Sequence, residues 1–165
     1  MIATTLKEHL DNEGVPYKHH SHATAFTAQE IAAVAHIPGN QMLKSIILKA
    51  DESILVMAVL SANDSADLDL LREEIGCEIL RLATEAEFRD KFPSCEVGAM
   101  PPFGNLFNLP TYCELLLAKN SEVEFNAGTH EETIRMAFDE FKRLVNPKMV
   151  HFARPYREHP QRLAA

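Results

Sequence analysis

The sequence predicts a mixed α+β fold, a single domain in which helices flank a central, mostly antiparallel or mixed β-sheet. Three observations carry the prediction. The runs "MLKSIILKA" and "SILVMAVL" are strand-like and are joined by the turn-forming "DES", the pattern of a hairpin. Helical and strand-like segments are interspersed without regular βαβ alternation, which disfavours a doubly wound nucleotide fold. With 165 residues, 46% of them hydrophobic, the chain can bury one compact core and does not require a second.

Taken in order, Leu6, Leu10 and Val15 around "TLKEHLDNEG" fit a short helix ending near Gly14, and "VPYKHH" reads as a strand. "TAQEIAAVAHI" opens on Thr27 as N-cap with Glu30 three residues on, and places Ile31, Val34 and Ala35 on one face. After the hairpin, "DLDLLREEIG" and "ATEAEFRDKF" read as helices flanking the short apolar "EIL", and "TYCELLLA" and "VEFNAG" as strands. The segment "GTHEETIRMAFDEFKRL" is open to two readings. Thr129 with Glu132 resembles a capping box opening one long helix, whereas Ile134, Met136 and Phe138 alternate as in a strand. The expected division is a domain over residues 1–147 and a basic C-terminal tail over 148–165, where Lys148, Arg154, Arg157 and Arg162 face only Glu158. Such a stretch is either a solvated tail or an arm that grips phosphate.

Composition narrows the classes. No apolar run approaches the roughly 20 residues of a spanning helix, and no charged-then-apolar leader opens the chain, so a soluble, cytoplasmic protein without membrane contact is expected. Cys77, Cys95 and Cys113 have no C-x-x-C spacing and read as reduced thiols, at least two of them buried. A net charge of -8 argues against non-specific nucleic-acid binding through many phosphates. "KHHSH" supplies His19, His20 and His22 without a carboxylate or cysteine at ligand spacing, so no metal is assigned, and no cofactor motif such as a Walker A or G-x-G-x-x-G loop is present.

Three places carry possible chemistry. Strand alternation puts Lys44 with Met42, Ile46 and Leu48, and Lys49 with Leu43 and Ile47, so one lysine faces apolar company. That position costs desolvation unless the ammonium meets an anion, opens onto a pocket or snorkels to a strand end. "GAMPPFG", residues 98–104, is either a structural turn or a rigid wall whose glycines expose backbone N–H groups while Pro101 and Pro102 fix their aim. "NAGTH" sets His130 just after Gly128, a surface histidine or one that holds substrate or acts as a base. No G-x-S-x-G elbow or other nucleophile motif accompanies them.

In their order and separation, "LKEHLDNEGVPYKHH", "TAQEIAAVAHIPGNQMLKSIIL", "GAMPPFG" and "FNAGTHEETIRM" resemble the YbaK/EbsC family of aminoacyl-tRNA deacylases, relatives of the editing domain inserted in bacterial prolyl-tRNA synthetases. The resemblance runs from about Leu6 to about Leu144. It implies a strand at "TIRMAF" and hydrolysis of the ester between a wrong amino acid and the terminal adenosine of a tRNA, with alanine, cysteine and other small residues on proline tRNA as the expected range. It also implies the site. Lys44 would hold the anionic acceptor end, and backbone around Gly98 and Gly104 would position the carbonyl and the attacking water. Met100, Pro101, Pro102, Phe103, Gly128 and His130 would bind substrate, with Met100, Phe103 and His130 lining the amino-acid pocket. The implied partners are the aminoacyl-tRNA acceptor end and an aminoacyl-tRNA synthetase. Two other classes stay open: an accessory domain that binds tRNA or a synthetase without hydrolysis, and a small-molecule pocket protein on the same fold, which the acidic charge would suit.

Overall fold

The structure, a computed structural model, describes residues 4–155. In chain order its elements are α1 (Thr4–Asn12), β1 (Tyr17–Ser21), α2 (Ala28–Val34), β2 (Leu43–Ala50), β3 (Ile54–Ser61), β4 (Asp64–Ala66), α3 (Leu68–Ile75), β5 (Leu80–Leu82), α4 (Glu85–Phe88), β6 (Thr111–Glu114), β7 (Glu122–Asn126), β8 (Glu132–Ala137), α5 (Phe138–Val145), β9 (Lys148–Val150) and β10 (Ala153–Pro155). They form a five-stranded sheet in the order β5-β2-β3-β6-β9, a three-stranded sheet β1-β8-β7 and a two-stranded pair β10-β4. Five of the seven strand pairings are antiparallel, and β3-β6 and β6-β9 are parallel, so the expected mixed, mostly antiparallel architecture holds.

Local chemistry explains the boundaries. The predicted hairpin is β2-β3, turned by Asp51 and Glu52 at φ 51° and 54°, the left-handed pair that a tight hairpin turn requires. The Thr27 side chain caps α2 by accepting from the Glu30 N–H, and Asp67 caps α3, which Gly76 closes at φ 81°. In the ambiguous segment the strand reading wins, then gives way to a helix at Phe138. Alternation buries Ile134 and Met136, and helical spacing then buries Phe138, Phe141, Leu144 and Val145. Thr129 and Glu132 form no helix start, and their side chains bond each other across the β7-β8 turn.

Three expectations are corrected. "TYCELLLA" is strand only to Glu114, whose side chain accepts from the Leu116 N–H and turns the chain into a 3-10 turn over Leu115–Lys119 with Leu115 and Leu116 exposed. Val34, expected on the buried face of α2, is exposed, while Ile31 and Ala32 face inward. Residues 148–155, expected as tail, are built into the fold. β9 extends the main sheet beside β6, β10 pairs with β4, Lys148 Nζ donates to the Glu74 carbonyl at 3.3 Å, and Arg154 pairs with Asp67. Arg157, Glu158 and Arg162 lie outside the described residues.

The main core lies between α1, α5, the three-stranded sheet and one face of the five-stranded sheet, with Phe103, Phe125 and Phe141 fully buried in it. A second cluster under α3 covers the other face through Leu48, Val56, Leu60 and Phe152, and a third seats α2 on Met42 and Ala62. The three-stranded sheet is tied to β2 by a bridge between Met42 and Glu124 and by the Glu124 N–H donating to the Gln41 carbonyl at 2.9 Å. The Glu124 carboxylate, 1% exposed, is met by His20 at 2.5 Å, by the Thr133 hydroxyl at 3.0 Å and by Arg135 at 3.2 Å. A buried carboxylate is tolerable only when so compensated. Among the described residues no helix is long and apolar enough to cross a membrane.

Candidate active site

Three loops meet at one end of the molecule. The two glycine loops are sewn together by backbone bonds, with the Glu96 N–H donating to the Gly128 carbonyl at 2.8 Å and the Gly128 N–H to the Ala99 carbonyl at 3.0 Å. Gly128 holds φ at 106°, a conformation a residue with a Cβ rarely adopts, so glycine is what permits the close crossing. The β1-α2 loop fastens from the other side. There the His22 N–H donates to the Glu131 carbonyl at 2.8 Å, the Ala25 N–H to the His130 carbonyl at 3.2 Å, and the Thr24 hydroxyl to Glu131 Oε1 at 2.6 Å.

His130 stands where they cross. Its main-chain N–H donates to Glu96 Oε2 at 3.1 Å, and ring Nε2 lies 2.9 Å from the Val97 carbonyl oxygen. A carbonyl can only accept, so Nε2 carries the proton and Nδ1 of the neutral ring presents a lone pair. That Nδ1 is buried and, among the described residues, has no partner. Glu96 Oε2, at 3.8 Å from Nε2, is beyond hydrogen-bond reach of the ring. The ring of Phe26 packs on His130 at 5.0 Å between centroids. Gly98, exposed and at φ 85°, lies close enough that a Cβ there would sit 3.5 Å from His130 Cε1. Its N–H points at the Met100 sulfur at 3.1 Å, a weak acceptor that a ligand oxygen would displace. At the end of β7, Asn126 is buried and, among the described residues, its side-chain oxygen is unpartnered.

The structure thus brings together Gly98, Met100, Gly128 and His130. It separates others that the sequence grouped with them. After Gly98 the chain turns inward, and residues 99–104 are all buried. Phe103, expected to line a pocket, is 0% exposed and packs in the core 5.5 Å from Phe125 and 5.6 Å from Phe141 between centroids. Gly104, expected beside the reacting carbonyl, is a packing glycine, since a Cβ there would lie 2.1 Å from Thr111 Oγ1 and 2.9 Å from the Leu109 carbonyl. Pro101 and Pro102 are buried with the rest of this stretch.

Lys44 lies next door, on the other side of its strand. The Ser45 hydroxyl donates to the Met100 carbonyl at 3.0 Å, so alternation aims Lys44 to the opposite face. There it lines a cavity of about 260 Å³ with Ile46, Leu60, Ser65, Ala66, Leu68 and Leu82. Burial among these groups lowers the ammonium pKa from the ordinary lysine value, and the charge of Asp64 partly opposes the shift. Lys49, the alternative apolar-facing lysine, is satisfied by Glu87 at 3.5 Å. Among the described residues no hydrogen bond or ion pair links the Lys44 ammonium to the His130 cluster.

Sequence reasoning missed Phe26, Glu96, Val97 and Asn126. Glu96 and Val97 lie in irregular chain and carry no periodic signal. Phe26 had one: as the residue before the N-cap it should pack on Ile31 at the fourth helical position, as a hydrophobic staple does. His19 and His20 each meet a different carboxylate, Glu132 at 3.2 Å and Glu124 at 2.5 Å, and among the described residues no group of three or more metal-type ligands converges.

The cysteines are free, with Cys113 buried and Cys77 and Cys95 half-buried, so one is enclosed where two were expected. Burial pushes the Cys113 thiol up to about 12 and the Cys95 thiol up to about 11. Because the thiolate is the reactive form, the folded protein at about pH 8 is expected to leave both nearly unmodified by a disulfide reagent. Unfolding in denaturant should release all three. Rapid stoichiometric labelling of Cys113 without denaturant would contradict this burial.

Comparison with known proteins identifies the family. Residues 22–144 match the aminoacyl-tRNA editing domain family. The chain is 28% identical over 149 residues, 88% of its length, to the multifunctional Ser/Thr-tRNA deacylase ProXp-y of Escherichia coli (strain K12), covering 89% of that protein. It is 28% identical over 104 residues, 63% of its length, to a proline–tRNA ligase of Bacillus cereus (strain G9842), of which it spans only 18%. The fold superposes on the crystal structure of a candidate trans-editing enzyme for prolyl-tRNA synthetase with a TM-score of 0.80 at 23% identity, covering 92% of this chain and 96% of that one. The match contains both glycine loops, Lys44 and His130, and the resemblance read from the sequence is thereby established: this chain belongs to the aminoacyl-tRNA editing domain family.

Proposed function

We propose that this protein is a deacylase that hydrolyses the ester of a mischarged aminoacyl-tRNA, with seryl and threonyl esters preferred over alanyl and cysteinyl ones. The observation that carries it is His130 Nδ1, a buried lone pair that among the described residues has no partner, beside a Gly98 N–H that meets a thioether. A buried acceptor calls for a donor, which the side-chain hydroxyl of a seryl or threonyl group supplies, a thiol supplies only weakly and a methyl does not supply. The E. coli relative's name supports the same pair of amino acids. With the aminoacyl group so held, the Gly98 N–H faces the ester oxygen and stabilises the negative charge that develops when water attacks. The ester is already activated, so no side-chain nucleophile is required.

Lys44 contributes a positive charge to the phosphate-bearing end of the substrate in an otherwise acidic protein of net charge -8. Its lowered pKa reflects the desolvation that makes an anion welcome there.

The test is release of amino acid from tRNAs charged with serine, threonine, alanine, cysteine or proline, with Lys44→Ala run in parallel. Serine and threonine should leave fastest, and the folded variant should lose about tenfold or more in rate, the equivalent of about 1.4 kcal/mol of transition-state stabilisation. Tight binding of tRNA without release from any member would replace this reading with a non-catalytic accessory domain. Failure to bind any tRNA at low salt would replace it with a small-molecule pocket protein.

A further inference from the structure

Resting on the deacylase reading, we propose that Phe26 is the platform on which the terminal adenine base of the substrate stacks. Phe26 occupies the position that in a capped helix packs inward as a hydrophobic staple, yet Ile31 is fully buried without it and Phe26 remains 66% exposed. The exposure does not come from a loose loop. The Phe26 N–H donates to Glu30 Oε2 at 3.2 Å, the Ala25 N–H to the His130 carbonyl, and Thr27 caps α2. One edge of the ring rests on His130, at 5.0 Å and tilted by 55°, leaving its remaining surface to solvent at the rim of the site.

On another side of the same histidine, Val97 is 39% exposed while its carbonyl holds His130 Nε2. The amino-acid group therefore meets His130 between two apolar rims, and what enters with that group is an adenosine whose base offers a flat π-face. An exposed aromatic ring, anchored through its own backbone, is the usual device for holding such a face without reading its edges. The ring then positions the ester from the nucleoside side, while Gly98 and His130 act on the acyl side.

The chain contains no tryptophan, so Phe26→Trp introduces a single tryptophan, excited selectively over the three tyrosines, at an exposed position where folding is not at stake. An oligoribonucleotide ending in CCA should quench its emission, and the same oligonucleotide with an abasic terminal residue should not. In the deacylation assay, Phe26→Ala should raise KM about tenfold with kcat nearly unchanged, equally for every amino acid that is cleaved, and Phe26→Tyr should restore it. Equal quenching by the abasic oligonucleotide, or a loss that varies with the amino acid and not with the terminal base, would overturn the proposal in favour of a contact to the aminoacyl side chain. Quenching needs no turnover. Base-dependent quenching without hydrolysis would uphold the stacking site and reject the deacylase, whereas hydrolysis without quenching would do the reverse.

Discussion

Glu114→Ala is expected to destabilise the fold by about 3–5 kcal/mol, among the largest effects a single substitution can have here. Glu114 ends β6 and is 1% exposed. Its Oε1 accepts from the Phe152 N–H at 2.9 Å and the Ala153 N–H at 2.7 Å, its Oε2 from the Leu116 N–H at 2.9 Å, and His151 Nδ1 lies 2.8 Å from Oε1. One carboxylate therefore replaces the backbone partners that β10, the segment before it and the turn after β6 lack. Removing it strands three main-chain donors, each costing about 1–3 kcal/mol when buried without a partner. For a chain of this size each kcal/mol lowers the melting temperature by about 2–4 °C. Glu114→Gln keeps one acceptor oxygen but turns an NH2 group toward donors, so its loss should fall between wild type and alanine. Urea denaturation of both variants reads the effect directly. A loss below about 1 kcal/mol for the alanine variant would mean that these N–H groups reach water.

Gly104→Ala and Gly98→Ala should separate stability from activity, although both glycines belong to one seven-residue motif. At Gly104 the added Cβ meets Thr111 Oγ1 at 2.1 Å and the Leu109 carbonyl at 2.9 Å, so β6 or the turn before it must move. Overpacking of this kind costs about 1–3 kcal/mol and occasionally more, visible as a lowered denaturation midpoint. At Gly98 the new methyl reaches His130 at an ordinary contact distance of 3.5 Å. The backbone penalty at φ 85° is about 1–2 kcal/mol, and relaxing it rotates the N–H away from the position the ester oxygen needs. Gly98→Ala is therefore expected to remain folded with deacylation reduced by about 100-fold, the scale of one lost oxyanion donor. Wild-type turnover by folded Gly98→Ala would remove that N–H from the mechanism.

The two glycines show where sequence reasoning reaches and where it stops. "GAMPPFG" announces a constrained chain, because glycine and proline restrict the backbone wherever they occur. It does not say which residues of the constraint face solvent. That depends on where the loop crosses Gly128 and on the depth of the aromatic cluster receiving Phe103. The same limit applies at Lys44. Alternation correctly placed it opposite Leu43 and Ile47, and only the Ser45 bond to Met100 identifies which face belongs to the loop.

Elements governed by near neighbours were legible from the chain itself: the capped start of α2, the β2-β3 hairpin and the helix α3. Their determinants lie within a few residues and act whatever the rest of the molecule does. Tertiary structure decided what depends on partners far away in sequence. It made strands of Lys148–Val150 and Ala153–Pro155 because β6 and β4 pair with them, with Glu114 accepting from the Ala153 N–H, it buried Phe103 and exposed Phe26, and among the described residues it left one ring nitrogen of His130 without a partner. Burial and hydrogen-bond satisfaction are properties of the assembled packing, and no local pattern of residue types encodes them.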